Sequence, residues 1–156
     1  MIDYKDIKKA INSIIRMNFT AKVNSKDIKE GFERPSFFVK LDDIKQQAYD
    51  EQIYRSITIR IFYFPSDRDS NSIELIEVQQ KLEEVFDLKL RIQDRFLDID
   101  EIESNIVDGI LEFYFSIEFY DARDTSYADK HSYDDVVDEH GNEIEVEMME
   151  KLHIKE

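Results

Sequence analysis

His131, His140 and His153 are the only side chains whose ordinary pKa lies near neutrality, and all three fall after Asp121. His131, Asp134, Asp135 and His140 together offer imidazole and carboxylate ligands to a divalent metal such as zinc or manganese. The alternative is that they are solvated residues of an acidic segment, since these ligand types alone define no geometry. Asp98, Asp100, Glu101 and Glu103 are spaced like part of a calcium loop. The sixth loop position, where a glycine must make the turn, is Glu103, so the match fails. The chain has no cysteine, which excludes disulfides and Cys-ligated zinc. Carboxylate pairs for acid–base chemistry can be drawn anywhere among 36 acidic residues, so no pair is singled out. Gly31, Gly109 and Gly141 are too scattered to form a phosphate-cradling loop, and no nucleophile motif appears. The chain therefore reads as a non-enzyme, with no catalytic, cofactor-binding or metal-ligating residues and no cofactor.

A length of 156 residues suits one ordinary domain. The formal net charge of −15 opposes binding to a nucleic-acid backbone, which requires cations that displace counterions. From Asp121 onward there are 12 acidic and four basic residues, so the surplus is densest there. The longest apolar run, Ile61-Phe62-Tyr63-Phe64, is far too short to cross a membrane. The opening Met1-Ile2-Asp3-Tyr4-Lys5-Asp6 lacks the order of a signal peptide, so synthesis and folding in a cytosol are expected. Eleven Phe and eight Tyr against three Gly and two Pro argue for a packed, strand-rich core rather than disorder.

The elements follow from periodicity. Ile7, Ala10, Ile11, Ile14 and Ile15 share one side of a helix over 3–17. Phe19, Ala21 and Val23 alternate as a short strand, and residues 36–41 form a second, with Phe37, Val39 and Leu41 on one face. Residues 42–51 are polar and fit a short helix or a loop. Over 54–64, Ile57, Ile59, Ile61 and Tyr63 share one strand face. A helix over 72–86 carries Leu75, Val78, Leu82, Val85 and Phe86, with Asn71 and Glu74 at capping-box spacing and Ser70 and Ser72 as rival caps. Leu88, Leu90 and Ile92 alternate as a strand, and a hairpin turns at Asp108-Gly109. Its second arm sets Leu111, Phe113, Phe115, Ile117 and Phe119 on one face. The order α-β-β-β-α-β-β-β predicts an α+β fold: a two-layer sandwich of an antiparallel or mixed sheet with two helices packed on one face. This domain spans 1–120, and residues 121–156 form an acidic C-terminal extension.

Some aromatics lie off the main apolar stripes. Phe62, Phe64, Tyr114 and Tyr120 fall on the opposite strand faces, with Arg60 among them. Cover from within the chain would account for them. The functional reading is a subunit interface, where Phe, Tyr and Arg are enriched.

Taken in order, three stretches carry a resemblance: Ile14-Ile15-Arg16-Met17-Asn18-Phe19; Ile57 through Arg68 followed by Ile73 through Phe86; and Ile106-Val107-Asp108-Gly109-Ile110-Leu111-Glu112-Phe113. Over residues 3–120 the chain resembles the tail terminator family of Gram-positive phages, prophages and phage-tail-like particles. The resemblance implies a structural virion protein that caps the head-proximal end of a tail tube as a ring, usually a hexamer. Such a ring stops tube polymerisation and offers the surface that joins the head, and in tail-like bacteriocins the same part caps tube and sheath. Implied partners are further copies of the chain, the tail tube protein, and sheath or head–tail connector proteins. Neither sequence-specific nucleic-acid binding nor a membrane is implied. The implied location is the bacterial host cytoplasm during assembly, then the particle. The competing readings are an acidic DNA-mimic inhibitor, another neck or tail-completion protein of the same particle, and a metal-dependent hydrolase.

Overall fold

Ile7, Ile11 and Ile15 recur at helical spacing, and all three are completely buried on one side of α1 (Tyr4–Asn18). Each such side chain contributes about 1.5–3 kcal/mol of burial. Asp3 caps the helix by accepting from the Lys5 N–H at 3.4 Å, and the Phe19 N–H closes its last turn on the Ile15 carbonyl. A computed structural model describes residues 1–24 and 33–123. The His131, Asp134, Asp135 and His140 group weighed as a metal site and set aside, together with residues 124–156 of the acidic extension, lies outside the described residues.

After α1 come β1 (Lys22–Asn24), β2 (Ser36–Ala48), β3 (Gln52–Phe64), α2 (Ser72–Val85), β4 (Lys89–Ile92), β5 (Arg95–Val107) and β6 (Ile110–Ala122). The strands form one sheet in the order β1-β2-β3-β6-β5-β4. The β1–β2 pairing is parallel and every other pairing antiparallel, so this is a mixed α+β fold. β1 and β4 are the two sheet edges, yet α1 touches both as well as β2. The sheet must therefore curl around that helix. Ile57, Ile59, Ile61 and Tyr63 of β3 and alternate residues Leu111 to Phe119 of β6 join Ile7, Ile11, Ile15, Leu75, Leu82 and Phe86 in one buried apolar cluster. Both helices thus contribute to the same core.

Several elements differ from the sequence reading. Residues 42–48 are neither helix nor loop but the outer half of β2. They carry no apolar alternation because this half is exposed, and its pairing with β3 is made by the backbone. A bulge between Asp42 and Lys45, with Asp43 at φ 47°, shifts the register there. Asp98, Asp100, Glu101 and Glu103 sit on β5, in keeping with the failed match to a calcium loop. Leu88 precedes β4 and is 71% exposed, whereas Leu90 and Ile92 are buried.

The capping box at Asn71 does not form. The Asn71 amide donates backward to the Asp67 and Arg68 carbonyls, each at 3.1 Å. Glu74 turns instead to the end of β3, accepting from the Tyr63 hydroxyl at 2.8 Å, the Ser66 N–H at 3.0 Å and the Ser66 hydroxyl. One carboxylate thus ties the start of α2 to the strand before it. The Asp108–Gly109 turn does form as expected, with φ of 53° and 72°.

The Glu74 contact has a pH signature. Partial burial pushes the Glu74 carboxyl up, but the Ser66 and Tyr63 hydrogen bonds more than offset it and leave its pKa below the ordinary value. A depressed folded-state pKa means the contribution is present above the unfolded value and lost as pH falls through the folded one. Melting curves between about pH 3 and 6 should show a shallower acid-side loss for Glu74→Gln than for the wild type. Identical slopes would mean that Glu74 carries no such linkage.

Candidate interface on the second sheet face

Strand alternation sends one set of β3 and β6 residues into the core and the other set to the opposite face. Register aligns that second set across three strands. Phe38 pairs with Phe62 and Phe62 with Glu112; Lys40 pairs with Arg60 and Arg60 with Tyr114; Tyr54 pairs with Tyr120. Four of the five interface candidates, Arg60, Phe62, Tyr114 and Tyr120, therefore share one face with Phe64 at its end.

Arg60 is the hub of this face. Its guanidinium donates to Asp42 at 3.0 Å, Asp43 at 3.4 Å and Glu112 at 2.6 Å, and lies 4.7 Å over the Tyr114 ring. Burial lowers the Arg60 pKa, but hydrogen bonds to Glu112 and Asp42 outweigh it and hold it above the ordinary arginine value. The hydrogen bond to Glu103, aided by burial, pushes the Tyr114 hydroxyl up. The β2 bulge explains the arrangement, because it lets consecutive Asp42 and Asp43 reach one arginine. Arg60 is thus held by its own chain and positions Tyr114. The nearby hydroxyls of Thr58 and Ser116 bond each other at 3.2 Å rather than a base, which is packing and not nucleophile activation.

The other candidates lie toward the two ends of the face. Phe62 is half-buried with its ring 6.2 Å from Phe38. Phe64 is buried at 8% exposure, beneath the Arg34 guanidinium at 5.9 Å. Here Phe62, Phe64, Val107 and Ile110 form the apolar side of a groove of about 830 Å³ that Lys40, Arg68, Asp108 and Glu112 also line, with Lys40 paired to Asp42 at 3.7 Å. At the far end Tyr120 is 51% exposed, and its ring lies 5.2 Å from that of Tyr54 at a tilt of 52°. Sequence reasoning missed Phe38, Lys40 and Arg68. Strand alternation in 36–41 already placed Phe38 opposite Phe37 and Val39, but its apposition to Phe62 needs the cross-strand register.

Asp121 was read as the first residue of the extension, but it belongs to β6 and is buried. Its carboxylate accepts from the Ile2 N–H at 3.2 Å, from Arg55 at 3.4 Å and from Arg95. Arg95 also donates to the Tyr120 carbonyl at 2.8 Å, so the cluster fixes the backbone that presents Tyr120.

Among the described residues no group of three or more His, Asp and Glu side chains is arranged to hold a metal, and no helix is long and apolar enough to cross a membrane. No curated protein matches the sequence. A family described as phage tail terminator protein matches residues 6–129, a span that takes in nearly all of α1 and every later element through β6. With most of its length and its whole strand–helix order inside that match, the chain belongs to the phage tail terminator proteins, structural components that complete a phage tail.

Proposed function

We propose that this protein caps the head-proximal end of a phage or phage-like tail tube as a ring of six copies, stopping tube polymerisation and presenting the surface that joins the head. The observation that carries this reading is the family match across residues 6–129. The second sheet face supports it. Its side chains are not those of a catalytic centre but rings and a fixed arginine, the composition of a protein–protein contact. In this reading the two helices form one layer and the sheet the other, leaving the second face to neighbours. The protein assembles in the host cytoplasm and ends in the particle, touching its own copies, the tube protein and a sheath or connector protein. The net charge of −15 suits a passage that DNA must cross without adhering.

Tube subunits polymerising in vitro test this. Added protein should halt elongation at substoichiometric amounts, read as a plateau in light scattering. Undiminished elongation at every dose would overturn the reading. Phe62→Ala and Tyr120→Ala should each keep a near-wild-type melting temperature while weakening that arrest severalfold, because interface rings carry a large share of binding energy. We also propose that the acidic residues after β6 serve assembly rather than folding. A chain ending at Arg123, which keeps the buried Asp121, should melt cooperatively yet arrest tubes with altered efficiency.

A further inference from the structure

The outer side of α1 is basic on a chain that is otherwise acidic. Along Tyr4–Asn18 stand Lys5, Lys8, Lys9 and Arg16 against one acid, Asp6, in a protein of net charge −15. The other helix is the reverse, with Glu74, Glu77, Glu83 and Glu84 against Lys81. The spacing of Lys5, Lys9 and Arg16 along the sequence sets them within about 40° of one another around the helix. They follow one another at about 6 Å and about 10 Å along its axis, on the side turned from the buried Ile7, Ile11 and Ile15. All three are exposed, and none makes an ion pair among the described residues. Asp6 is engaged elsewhere, accepting from the Gln93 amide at 3.0 Å, and Asp3 caps the helix. Helix stability does not account for the whole stripe. Arg16 suits the negative end of the helix dipole, but Lys5 sits at the positive end. Lys5 and Lys9, one turn apart, also repel each other.

We infer that the outer side of α1 docks a row of carboxylates on a different protein of the tail. A partner that neutralises them accounts for exposed cations that weaken their own helix. Charge complementarity sets the partner's chemistry: carboxylates spaced to meet Lys5, Lys9 and Arg16, at about 6 Å and about 10 Å. A nucleic acid fits less well. Its phosphates are repelled by a chain of net charge −15, and three cations displace few counterions. A protein can present a local acidic row on a body of low net charge. Nor is the helix free to enter a lipid surface, because Ile7, Ile11 and Ile15 are committed to the core. Such a contact steers docking and fixes orientation, while like charges placed there would reject the partner. It rests on the chain being a tail component and not on the capping role proposed above.

Carbodiimide, which joins an amine to a carboxylate only where the two touch, tests the contact in tails assembled in the host. Mass spectrometry should find Lys5 or Lys9 joined to an Asp or Glu of another tail protein. The full chain carrying Lys5→Glu and Lys9→Glu supplies the second arm. It should melt no lower than the wild type, since Lys5→Glu suits the helix dipole. In competition with the wild type it should enter tails at less than about one-tenth the level, because attractions become repulsions. Changing the cross-linked carboxylates of the partner to lysine should restore its entry. Several results would overturn the contact: no link from either lysine, links only to carboxylates of this same chain or of another copy, or a variant that enters tails normally. A variant that melts well below the wild type would overturn it too, by giving the stripe a structural role. So would ultraviolet cross-linking of α1 to nucleic acid in the same particles. If the links fail while the wild type still arrests tube growth, the contact is wrong and the capping reading stands. If they form while no tube is arrested, the reverse holds.

Discussion

Asp121→Ala should lower the melting temperature by about 10 °C, although residue 121 lies near the end of the described chain. The carboxylate is 4% exposed and holds Arg55, Arg95 and the Ile2 N–H. Removing it leaves the Arg55 guanidinium, at 13% exposure, without its carboxylate. Breaking a buried pair by deleting one partner costs about 3–5 kcal/mol, because the survivor stays desolvated. The lower end, about 3 kcal/mol, applies because Arg95 is 35% exposed and can turn to water. For a domain of this size that corresponds to roughly 10 °C. Asp121→Asn keeps an acceptor for Ile2 and should fall between the two. Calorimetry checks the order, and a melt of the alanine variant within about 2 °C of wild type would show that the cluster contributes nothing.

Ile59→Asp should leave almost no folded protein. Ile59 is fully buried, pairing with Leu41 on one side and Phe115 on the other. A carboxylate there has no partner, and its desolvation costs several kcal/mol in addition to the lost apolar burial. Their sum is comparable to the entire 5–15 kcal/mol that holds an ordinary domain together. Ile59→Val, which removes one methylene, should cost only about 1 kcal/mol. Circular dichroism and solubility distinguish the two. A cooperative wild-type-like melt of the aspartate variant would remove Ile59 from the core.

The parts of the fold legible from sequence are those whose burial writes a period into the chain. Ile7, Ile11 and Ile15 on α1, and the alternating rings of β3 and β6, had to face a core, so helical and strand spacings survive in them. The Asp108–Gly109 turn was legible because two successive positive φ angles favour those residue types. β5 was legible only as the first arm of the Asp108–Gly109 hairpin, since water reaches most of its side chains, and the outer half of β2 was not legible, because its side chains are exposed and the backbone ladder alone makes it a strand. The bulge at Asp42–Lys45 further breaks any period there. The Asp121 cluster joins residues 66 and 119 positions apart, and only the register of β3, β5 and β6 reveals that they meet. The interface candidates were legible as a face, since alternation places Arg60, Phe62, Tyr114 and Tyr120 together. Their roles were not. Arg60 proved to be a clamp for its own strands, while the place of Lys40 beside it came into view only once β2 was paired with β3.

Electron microscopy of tail tubes incubated with gold-labelled protein shows whether the protein caps them. A terminal cap gives label confined to one end of each tube, the end that joins the head, with a ring-shaped density there and tubes of arrested length. Label spread along the tube shaft, shared equally between both ends, or absent from tubes altogether would contradict it.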